Sequence, residues 1–255
     1  NPRKFVQVRV NLSSEDPFKT ARISNLRIDL APPLALELAG ELALLSDGGA
    51  TRDLIDLGVL ATDYIPPRNI NPLESQQFSY FIRAAAPDAT QASGFNEVLI
   101  VTPRPAHLTG VRLGQVVIET VSLLGQEQRQ TSAITTRFDR AFAPDGDGIL
   151  HSEDGSELIQ MATNADSIWV RFPFSLNADL PADAHALIEV QFESQSFREG
   201  LQFTSFVRAS DSDEGTLQRV DTDGMDATEL VDSSTARVSL VASGRALIQD
   251  VVMAS

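Results

Sequence analysis

Length, composition and charge first narrow the class of protein. A chain of 255 residues with 42% hydrophobic residues is long enough to bury a core without disulfide or metal crosslinks. Its formal net charge of −15 argues against binding to a nucleic-acid backbone, because that affinity comes largely from Lys and Arg. The absence of cysteine removes thiol nucleophiles and Cys-ligated zinc sites. No apolar run approaches the roughly 18 residues that a membrane-spanning helix requires, so we expect no transmembrane segment.

The charge is divided unevenly between the two halves of the chain. Residues 1–130 carry 12 basic and 14 acidic side chains, whereas residues 131–255 carry 8 and 21. A near-neutral first half and a strongly acidic second half suggest two separate bodies. The polar segment 125–133 lies between them, so we predict domains over 1–127 and 128–255.

Alternation of apolar and polar residues predicts β-strands along the whole chain. In chain order, the alternating segments are 5–12, 24–31, 78–82, 116–118 and 188–192. Successive side chains of a strand point to opposite faces, so this pattern indicates antiparallel sheets with one buried face. Turns rich in Gly, Pro and Asp separate the runs, as in β-sandwiches. The sequence therefore predicts an all-β fold of two tandem antiparallel β-sandwich domains, immunoglobulin-like or jelly-roll-like.

Segment 34–45, LALELAGELALL, has a composition that would also suit a helix. Leu and Ala favour helix, but Gly40 in the middle of the segment would cost a helix about 1 kcal/mol. We therefore predict a strand here.

The segment that follows the first predicted strands, YIPPRNINP (64–72), is rich in proline. Prolines stiffen a loop and reduce the entropy lost on docking, and ordered loops often carry binding residues. Charge depletion is typical of interface cores, which favours the near-neutral half of the chain. We predict a partner-binding segment here, and its alternative is a simple crossing between two sheets. The candidate residues are Tyr64, Ile65, Pro66 and Pro67.

Two segments of the chain echo each other. QFSYFIRA (77–84) and QFTSFVRA (202–209) are identical at five of eight positions and lie 125 residues apart. A repeat spaced by about half the chain indicates two related units, so we interpret the second domain as a duplicate of the first. Chance similarity between two strands of like composition is the alternative.

The sharpest local motif is AFAPDGDGILH, residues 141–151. It resembles the F-x-P-N-G-D-G-x-N-D opening of the immunoglobulin-like C-terminal modules of bacterial gliding-motility, flagellar hook-cap and related surface proteins. The matching residues are Phe142, Pro144, Gly146, Asp147 and Gly148. The sequence departs from the pattern where Asp145 replaces Asn and where Leu150 and His151 replace Asn-Asp. The resemblance covers under a tenth of the chain and implies an exported, surface-associated protein with no catalytic role.

The acidic side chains of this motif have two interpretations. In the first, the loop binds Ca²⁺ through carboxylate oxygens. In the second, the carboxylates hydrogen-bond the amides of their own turn, which the glycines allow to adopt positive φ. It is not an EF-hand, because Leu150 stands where Gly is required and Ser156 where Glu is expected. The candidate Ca²⁺ ligands are Asp145, Asp147, Glu153 and Asp154.

Trp169 is the only tryptophan of the chain, within IWVRFPF (168–174). Alternation places its side chain on the face opposite Val170 and Phe172, together with Arg171. A buried second-layer tryptophan is one interpretation. A sugar-stacking platform is the other, and it would require an exposed tyrosine in the same plane, which only Tyr64 and Tyr80 could provide.

Catalytic motifs are lacking in the sequence. His107, His151 and His185 are scattered, and no nucleophile elbow, phosphate loop or dinucleotide-binding motif is present. A carboxylate pair for glycoside hydrolysis depends on the fold rather than on sequence spacing, so the sequence leaves that alternative open.

These observations favour a non-catalytic structural or protein-interaction module of an exported bacterial cell-envelope protein. We expect it to be a subunit or fragment of a larger assembly, with other envelope proteins as partners, an extracytoplasmic location and no cofactor other than Ca²⁺. The first residue is Asn1 rather than Met, which suggests a removed leader or a trimmed boundary. A carbohydrate-binding module is the alternative function, and a hydrolase with a fold-assembled carboxylate pair is the second alternative.

Overall fold

The computed structural model of the chain describes residues 33–46, 63–72, 74–85, 92–122, 130–145, 148–152, 154–176, 184–196, 200–210, 217–222, 227–228, 230–231 and 236–239, together with residues 10, 11, 13, 18, 22 and 23. For 118–122, 130–134 and 184 only the backbone is described. Most of the predicted strands 5–12 and 24–31 lie outside the described residues.

The described residues form twelve β-strands in one antiparallel sheet, which confirms the all-β prediction. The strands are β1 (Glu37–Leu45), β2 (Tyr64–Ile65), β3 (Ser75–Ala85), β4 (Phe95–Val101), β5 (Ala106–Ser122), β6 (Gln130–Pro144), β7 (Ile149–Ser152), β8 (Leu158–Asn164), β9 (Ser167–Leu176), β10 (Ala184–Gln195), β11 (Thr204–Arg208) and β12 (Leu217–Arg219). Their order across the sheet is β12-β11-β4-β9-β8-β7-β6-β5-β10-β3-β1-β2. No helix in this part of the chain is long and apolar enough to span a membrane.

The sheet curls until the chain following β12, at one end of the strand order, meets β1 near the other end. The Gly40 amide of β1 donates to the Asp221 carbonyl at 2.8 Å, and the Asp221 amide donates to the Leu38 carbonyl at 3.0 Å. A Cβ on Gly40 would lie 2.8 Å from Cγ1 of Val220, so this close approach requires glycine. Segment 37–45 is thus a strand, as predicted, and its glycine marks the contact.

One apolar cluster fills the inside of the curl. In β3 and β10 the apolar residues of the predicted alternation lie in this cluster, from Phe78 to Ala84 and from Ala186 to Phe192 at every second position. Strands β4 and β9 contribute their own alternate positions from the opposite side. The buried residues of these four strands include Phe78, Tyr80, Ile82, Val98, Ile100, Ile168, Val170, Phe172, Ile188, Val190 and Phe192.

Strands from the two halves of the sequence alternate within this sheet. Strand β10, from the second half, pairs with β3 and β5 of the first half. Strand β4, from the first half, pairs with β9 and β11 of the second half. Two tandem sandwich domains over 1–127 and 128–255 are therefore not confirmed. Alternation identifies the face of a strand that is buried but not its neighbours in the sheet, which are set by contacts distant in sequence.

The two echoing segments lie in and around β3 and β11 and face each other across the core. The rings of Phe78 and Phe203, which are equivalent positions of the echo, lie 5.7 Å apart between centroids. The hydroxyl of Ser205 donates to that of Tyr80, its equivalent, at 3.0 Å. Burial raises the pKa of Tyr80 to about 12, so this hydroxyl stays protonated. Descent of both segments from a duplication stays a prediction.

The opposite face of β1, β3, β5 and β10 is also buried, under a second and smaller apolar cluster. That cluster includes Ala43, Tyr64, Phe81, Val116, Phe138 and Leu187. The sequence analysis assigned Glu189 and Gln191 of β10 to a solvent-facing side, and this was wrong: both are buried. A central strand that is covered on both faces buries its polar positions as well as its apolar ones.

Candidate functional site

The motif at 141–151 forms the connection between β6 and β7. Gly148 has φ +75°, the positive value that the sequence predicted for a turn glycine. The carboxylate of Asp145 pairs with Nε2 of His151 across the β6–β7 hairpin. Asp145 therefore contacts a side chain of its own hairpin.

Asp154 caps the next turn of the chain. Its Oδ1 accepts hydrogen bonds from the hydroxyls of Ser152 and Ser156, each at 2.7 Å, and from the Ser156 amide at 3.0 Å. These hydrogen bonds lower the pKa of Asp154 to about 2, and the bond from Ser152 makes the largest contribution. This turn follows the motif, so self-capping by Asp145 and Asp147 within the motif stays a prediction.

The described residues contain no group of three or more His, Asp or Glu side chains that could hold a metal ion together. Two of the four candidate ligands, Asp147 and Glu153, lie outside the described residues. Ca²⁺ binding by this loop therefore stays a prediction.

The predicted partner-binding segment 64–67 is only partly exposed. Ile65 is 43% exposed, whereas Tyr64 and Pro67 are buried and Pro66 is partly buried. Tyr64 and Ile65 pair with the end of β1, and the Pro67 carbonyl accepts from the Ser239 amide at 2.9 Å. The segment therefore has a structural role, and partner binding here stays a prediction that depends on Ile65.

A polar network lies under the second apolar cluster, centred on the carboxylate of Glu189. Oε2 accepts from Nε of Arg112 at 2.5 Å. Oε1 accepts from the Ser79 hydroxyl at 2.7 Å, from Nε2 of Gln191 at 2.9 Å and from the Tyr64 hydroxyl at 3.0 Å. Neither charged side chain is more than 1% exposed. The ion pair is thus desolvated and held by additional hydrogen bonds.

A second buried carboxylate, Glu41, lies in the same row of the sheet. Strand register places Phe81 between Glu41 and Glu189. Glu41 accepts hydrogen bonds from the Ala227 amide at 3.0 Å and from the Thr228 hydroxyl. Both carboxylates have zero exposed area, so a substrate does not reach this pair in the described conformation.

An open pocket of about 560 Å³ lies where β3 begins, β5 begins and β10 ends. Within its lining, Glu193 faces His107 across the β10–β5 pairing. Among the described residues, Glu193 is the one carboxylate in the lining, so this part of the chain does not form the two-carboxylate cleft that would favour a glycoside hydrolase.

Three titratable groups lie together near one end of β1, β3 and β10. Arg83 donates to Oε1 of Glu37 at 2.7 Å, and its Nε is buried without a hydrogen-bond partner in the structure. His185, partly buried, has an Nδ1 that is likewise without a partner. Burial, and then the positive charge of Arg83, lower the pKa of His185, while Glu37 opposes that shift.

His185 is expected to make the folded protein less stable in mild acid. Because the folded state lowers its pKa, the unfolded state binds the proton more readily. The stabilising contribution is complete above the unfolded-state pKa of about 6.5 and is lost as pH falls through the lower folded-state pKa. Replacing His185 with Gln should flatten the fall in melting temperature between pH 7 and pH 5. An unaltered fall in the His185→Gln protein would rule His185 out.

The outer face of β12, β11, β4, β9 and β8 carries a row of apolar side chains that are not fully covered. Phe206, Leu99 and Trp169 are direct cross-strand neighbours in this row, and each is partly exposed. Val101 and Leu217 on the same face are 36% and 52% exposed. Alternation produces this row, because the neighbouring positions Val98, Ile100 and Val170 point into the core.

Three arginines flank the apolar row. Arg171 and Arg208 both have Glu97 as their cross-strand neighbour, and Arg219 is the neighbour of Phe206. Nε of Arg171 lies 2.9 Å from Oε1 of Glu97, and Nε of Arg208 lies 3.7 Å from Oε2. The guanidinium of Arg171 also lies 5.7 Å from the centroid of the Trp169 ring. We call this surface, formed by Glu97, Leu99, Val101, Trp169, Arg171, Phe206, Arg208, Leu217 and Arg219, the arginine–aromatic face.

Trp169 on this face is neither fully buried nor paired with an exposed tyrosine. Its side chain points away from the core as predicted, and it is partly exposed rather than a buried second-layer residue. Tyr64 and Tyr80 are both buried, so neither forms a sugar-stacking plane with Trp169. Neither tyrosine is therefore available as the second ring of a Trp–Tyr platform for sugar stacking.

No protein-family model, curated protein or solved structure matches this chain. Its functional surface must therefore be argued from its own residues. Sequence reasoning singled out Trp169 and Arg171 but missed Leu99, Phe206 and Arg208. Their alternation was readable, but the pairing of β4 with β9 and β11 was not, and only that pairing brings them together.

Proposed function

We propose that this protein acts by contact, as a non-catalytic module that binds another protein through the arginine–aromatic face. The observation that carries the proposal is the partly exposed row of Phe206, Leu99 and Trp169, flanked by arginines. Trp and Arg are the residue types most enriched at energetic hot spots of protein interfaces. The outer sheet face offers them to a partner together, without a change in the fold.

Two further observations support contact over chemistry. The buried carboxylates Glu41 and Glu189 have hydrogen-bond partners and no exposed area, and the open pocket has one carboxylate. A carbohydrate-binding module remains the alternative, supported only by the partial exposure of Trp169. The resemblance of 141–151 to bacterial surface modules adds the proposal that the partner belongs to the same exported cell-envelope assembly.

The arginine–aromatic face is favoured over segment 64–67 as the contact surface. The face has five apolar side chains that are at least partly exposed, whereas the segment offers mainly Ile65. Tyr64, which the sequence analysis placed in the interface, is buried by its bonds to Glu189 and Arg112. Loss of Tyr64 would disturb the fold before it reported on binding.

Comparing two surface variants of the tagged, full-length protein in its native cells tests the proposal. Replacing Trp169 and Phe206 with Ser should reduce the co-purification of partner proteins at least tenfold. Replacing Ile65 with Ser, which also removes a large exposed apolar side chain, should leave co-purification unchanged. Melting temperatures of the purified variants separate lost contact from lost folding. Retained partners in the Trp169→Ser/Phe206→Ser protein, or their loss in the Ile65→Ser protein, would contradict the proposed surface.

A further inference from the structure

The charge on the arginine–aromatic face is opposite in sign to that of the chain as a whole. Among the described residues, the face carries Arg171, Arg208 and Arg219 against the carboxylate of Glu97, an excess of two positive charges, while the chain has a formal net charge of −15. A local surplus of arginine on an acidic protein creates a confined positive potential. An occupant that complements this face must therefore bring negative charge.

The surplus is concentrated at the edge formed by β11 and β12. Arg219 is paired with Phe206, and Leu217 is paired with Arg208, so the two arginines are diagonal neighbours on adjacent strands. Diagonal neighbours lie about 7–8 Å apart, within reach of one shared group. Among the described residues, Arg219 makes no ion pair, and the one ion pair of Arg208 is with Glu97, at 3.7 Å. Two like charges this close repel each other, and an anion between them removes the repulsion.

Glu97 helps to hold Arg171 and Arg208 in position without neutralising both of them. Its side chain is only 5% exposed, and Arg171 and Arg208 both meet it through Nε. Engagement through Nε leaves the terminal amino groups of each guanidinium available as donors. The carboxylate of Glu97 thus orients Arg171 and Arg208. The combined positive charge of the arginines on the face exceeds the single negative charge of Glu97.

We infer that the occupant of the arginine–aromatic face is an acidic segment of a partner protein, with a carboxylate bound between Arg208 and Arg219 and apolar side chains packed on Leu99 and Phe206. This inference rests on the proposed function and adds the chemistry of the partner. Apolar contact area beside charged donors suits a peptide that mixes Glu or Asp with Leu or Phe. An acidic polysaccharide is less complementary, because the aromatic row has Leu99 at its centre and neither tyrosine beside it.

The sign of the local potential can be measured with Trp169, because it is the only tryptophan in the chain. Relative to their quenching of free N-acetyltryptophanamide, iodide should quench its fluorescence more strongly than caesium at equal ionic strength, although the net charge of −15 alone would favour caesium. Replacing Arg208 and Arg219 with Gln should reverse that order. Replacing exposed Arg68 and Arg137 with Gln makes the net charge more negative by the same amount but should not reverse the order of quenching. Stronger quenching of the wild-type protein by caesium would overturn the inference.

The occupant is tested by titrating the full-length protein with the blocked peptide Glu-Glu-Leu-Phe-Glu-Glu and following Trp169 emission. We expect a saturable change that weakens with salt and requires about tenfold more peptide in the Arg208→Gln/Arg219→Gln protein. The Arg68→Gln/Arg137→Gln protein should behave as wild type. The same peptide with Gln for Glu should bind at least tenfold more weakly. Equal binding of the Gln peptide or no binding of either peptide would overturn the inference. Tighter binding of alginate at equal carboxylate concentration would also overturn it, because that result would indicate a polysaccharide as the occupant. A change in Trp169 emission on dilution alone would overturn it as well, because that result would indicate a second copy of the chain.

Failure of this inference is distinguishable from failure of the proposed function. If partner retention depends on Trp169 and Phe206 while neither peptide binds, the face is a contact surface but not one for acidic segments. The acidic peptide could instead bind while partner retention is unchanged in the Trp169→Ser/Phe206→Ser protein. The face would then bind acidic segments in solution, but the proposed function would be overturned. This inference rests on the proposed function and would be overturned with it.

Discussion

Replacing Glu189 with Gln is expected to destabilise the protein by about 3–5 kcal/mol, because it removes the carboxylate charge from a buried ion pair with the Arg112 guanidinium. Arg112 is at most 1% exposed, so water cannot replace the lost partner. Its stacking over the Phe138 ring, at 4.3 Å, does not neutralise its charge. For a chain of this size, we expect the melting temperature to fall by roughly 6–20 °C. Urea unfolding followed by Trp169 fluorescence measures the change directly.

A matched carboxylate on the same strand provides the control. Glu193 is partly exposed and faces the open pocket, so Glu193→Gln should change stability by no more than about 0.5 kcal/mol. The double variant Arg112→Met/Glu189→Leu removes both charges and should cost much less than the sum of the two single changes. A cost below about 1 kcal/mol for Glu189→Gln would contradict the assigned network. A stable Glu189→Gln protein that had lost a hydrolytic activity would instead revive the carboxylate-pair alternative.

Dividing the chain near residue 127 is expected to abolish folding of both pieces. Without β10, strands β3 and β5 lose the strand between them, and without β4, strands β9 and β11 lose theirs. Each piece also loses part of the single core cluster. The whole stability of a domain is about 5–15 kcal/mol, which is too little to survive these losses. Residues 1–127 and 128–255, expressed separately, should each lack a cooperative melting transition.

Limited proteolysis of the intact protein gives the complementary result. A cut within 125–133 should yield two fragments that remain associated on a sizing column and separate only in denaturant. Two soluble fragments that part under native conditions, each with its own melting transition, would restore the two-domain prediction.

The elements that sequence reasoning predicted best are those whose pattern is local. Period-two alternation identified the positions of β3, β9 and β10 that face the main core cluster, and Gly40, which disfavours a helix, indicated a strand within 34–45. The alternation pattern assigned Glu189 to a solvent-exposed face. This was wrong, because both faces of β10 are buried at this position. The strand order was not predictable, since β4 and β11 are separated by about a hundred residues and their pairing depends on the whole core.

The candidate surface was only partly predictable for the same reason. Alternation placed Trp169 and Arg171 on a non-core face, which is correct. Residues Leu99, Phe206 and Arg208 come from strands whose neighbours were unknown, so their convergence with Trp169 had no signal in the sequence. The proline-rich segment gave a strong compositional signal, yet the structure buries Tyr64 in the network of Glu189.

Photo-crosslinking from position 206 tests most directly whether this protein works by contact through the arginine–aromatic face. Phe206 is replaced by p-benzoylphenylalanine, which keeps the ring, and Ile65 is replaced likewise in a second protein. After irradiation in native cells, the reagent at position 206 should give a discrete covalent adduct with another protein, and the reagent at position 65 should give none. An adduct at position 65 with none at position 206 would move the contact to the proline-rich segment and contradict the proposed surface.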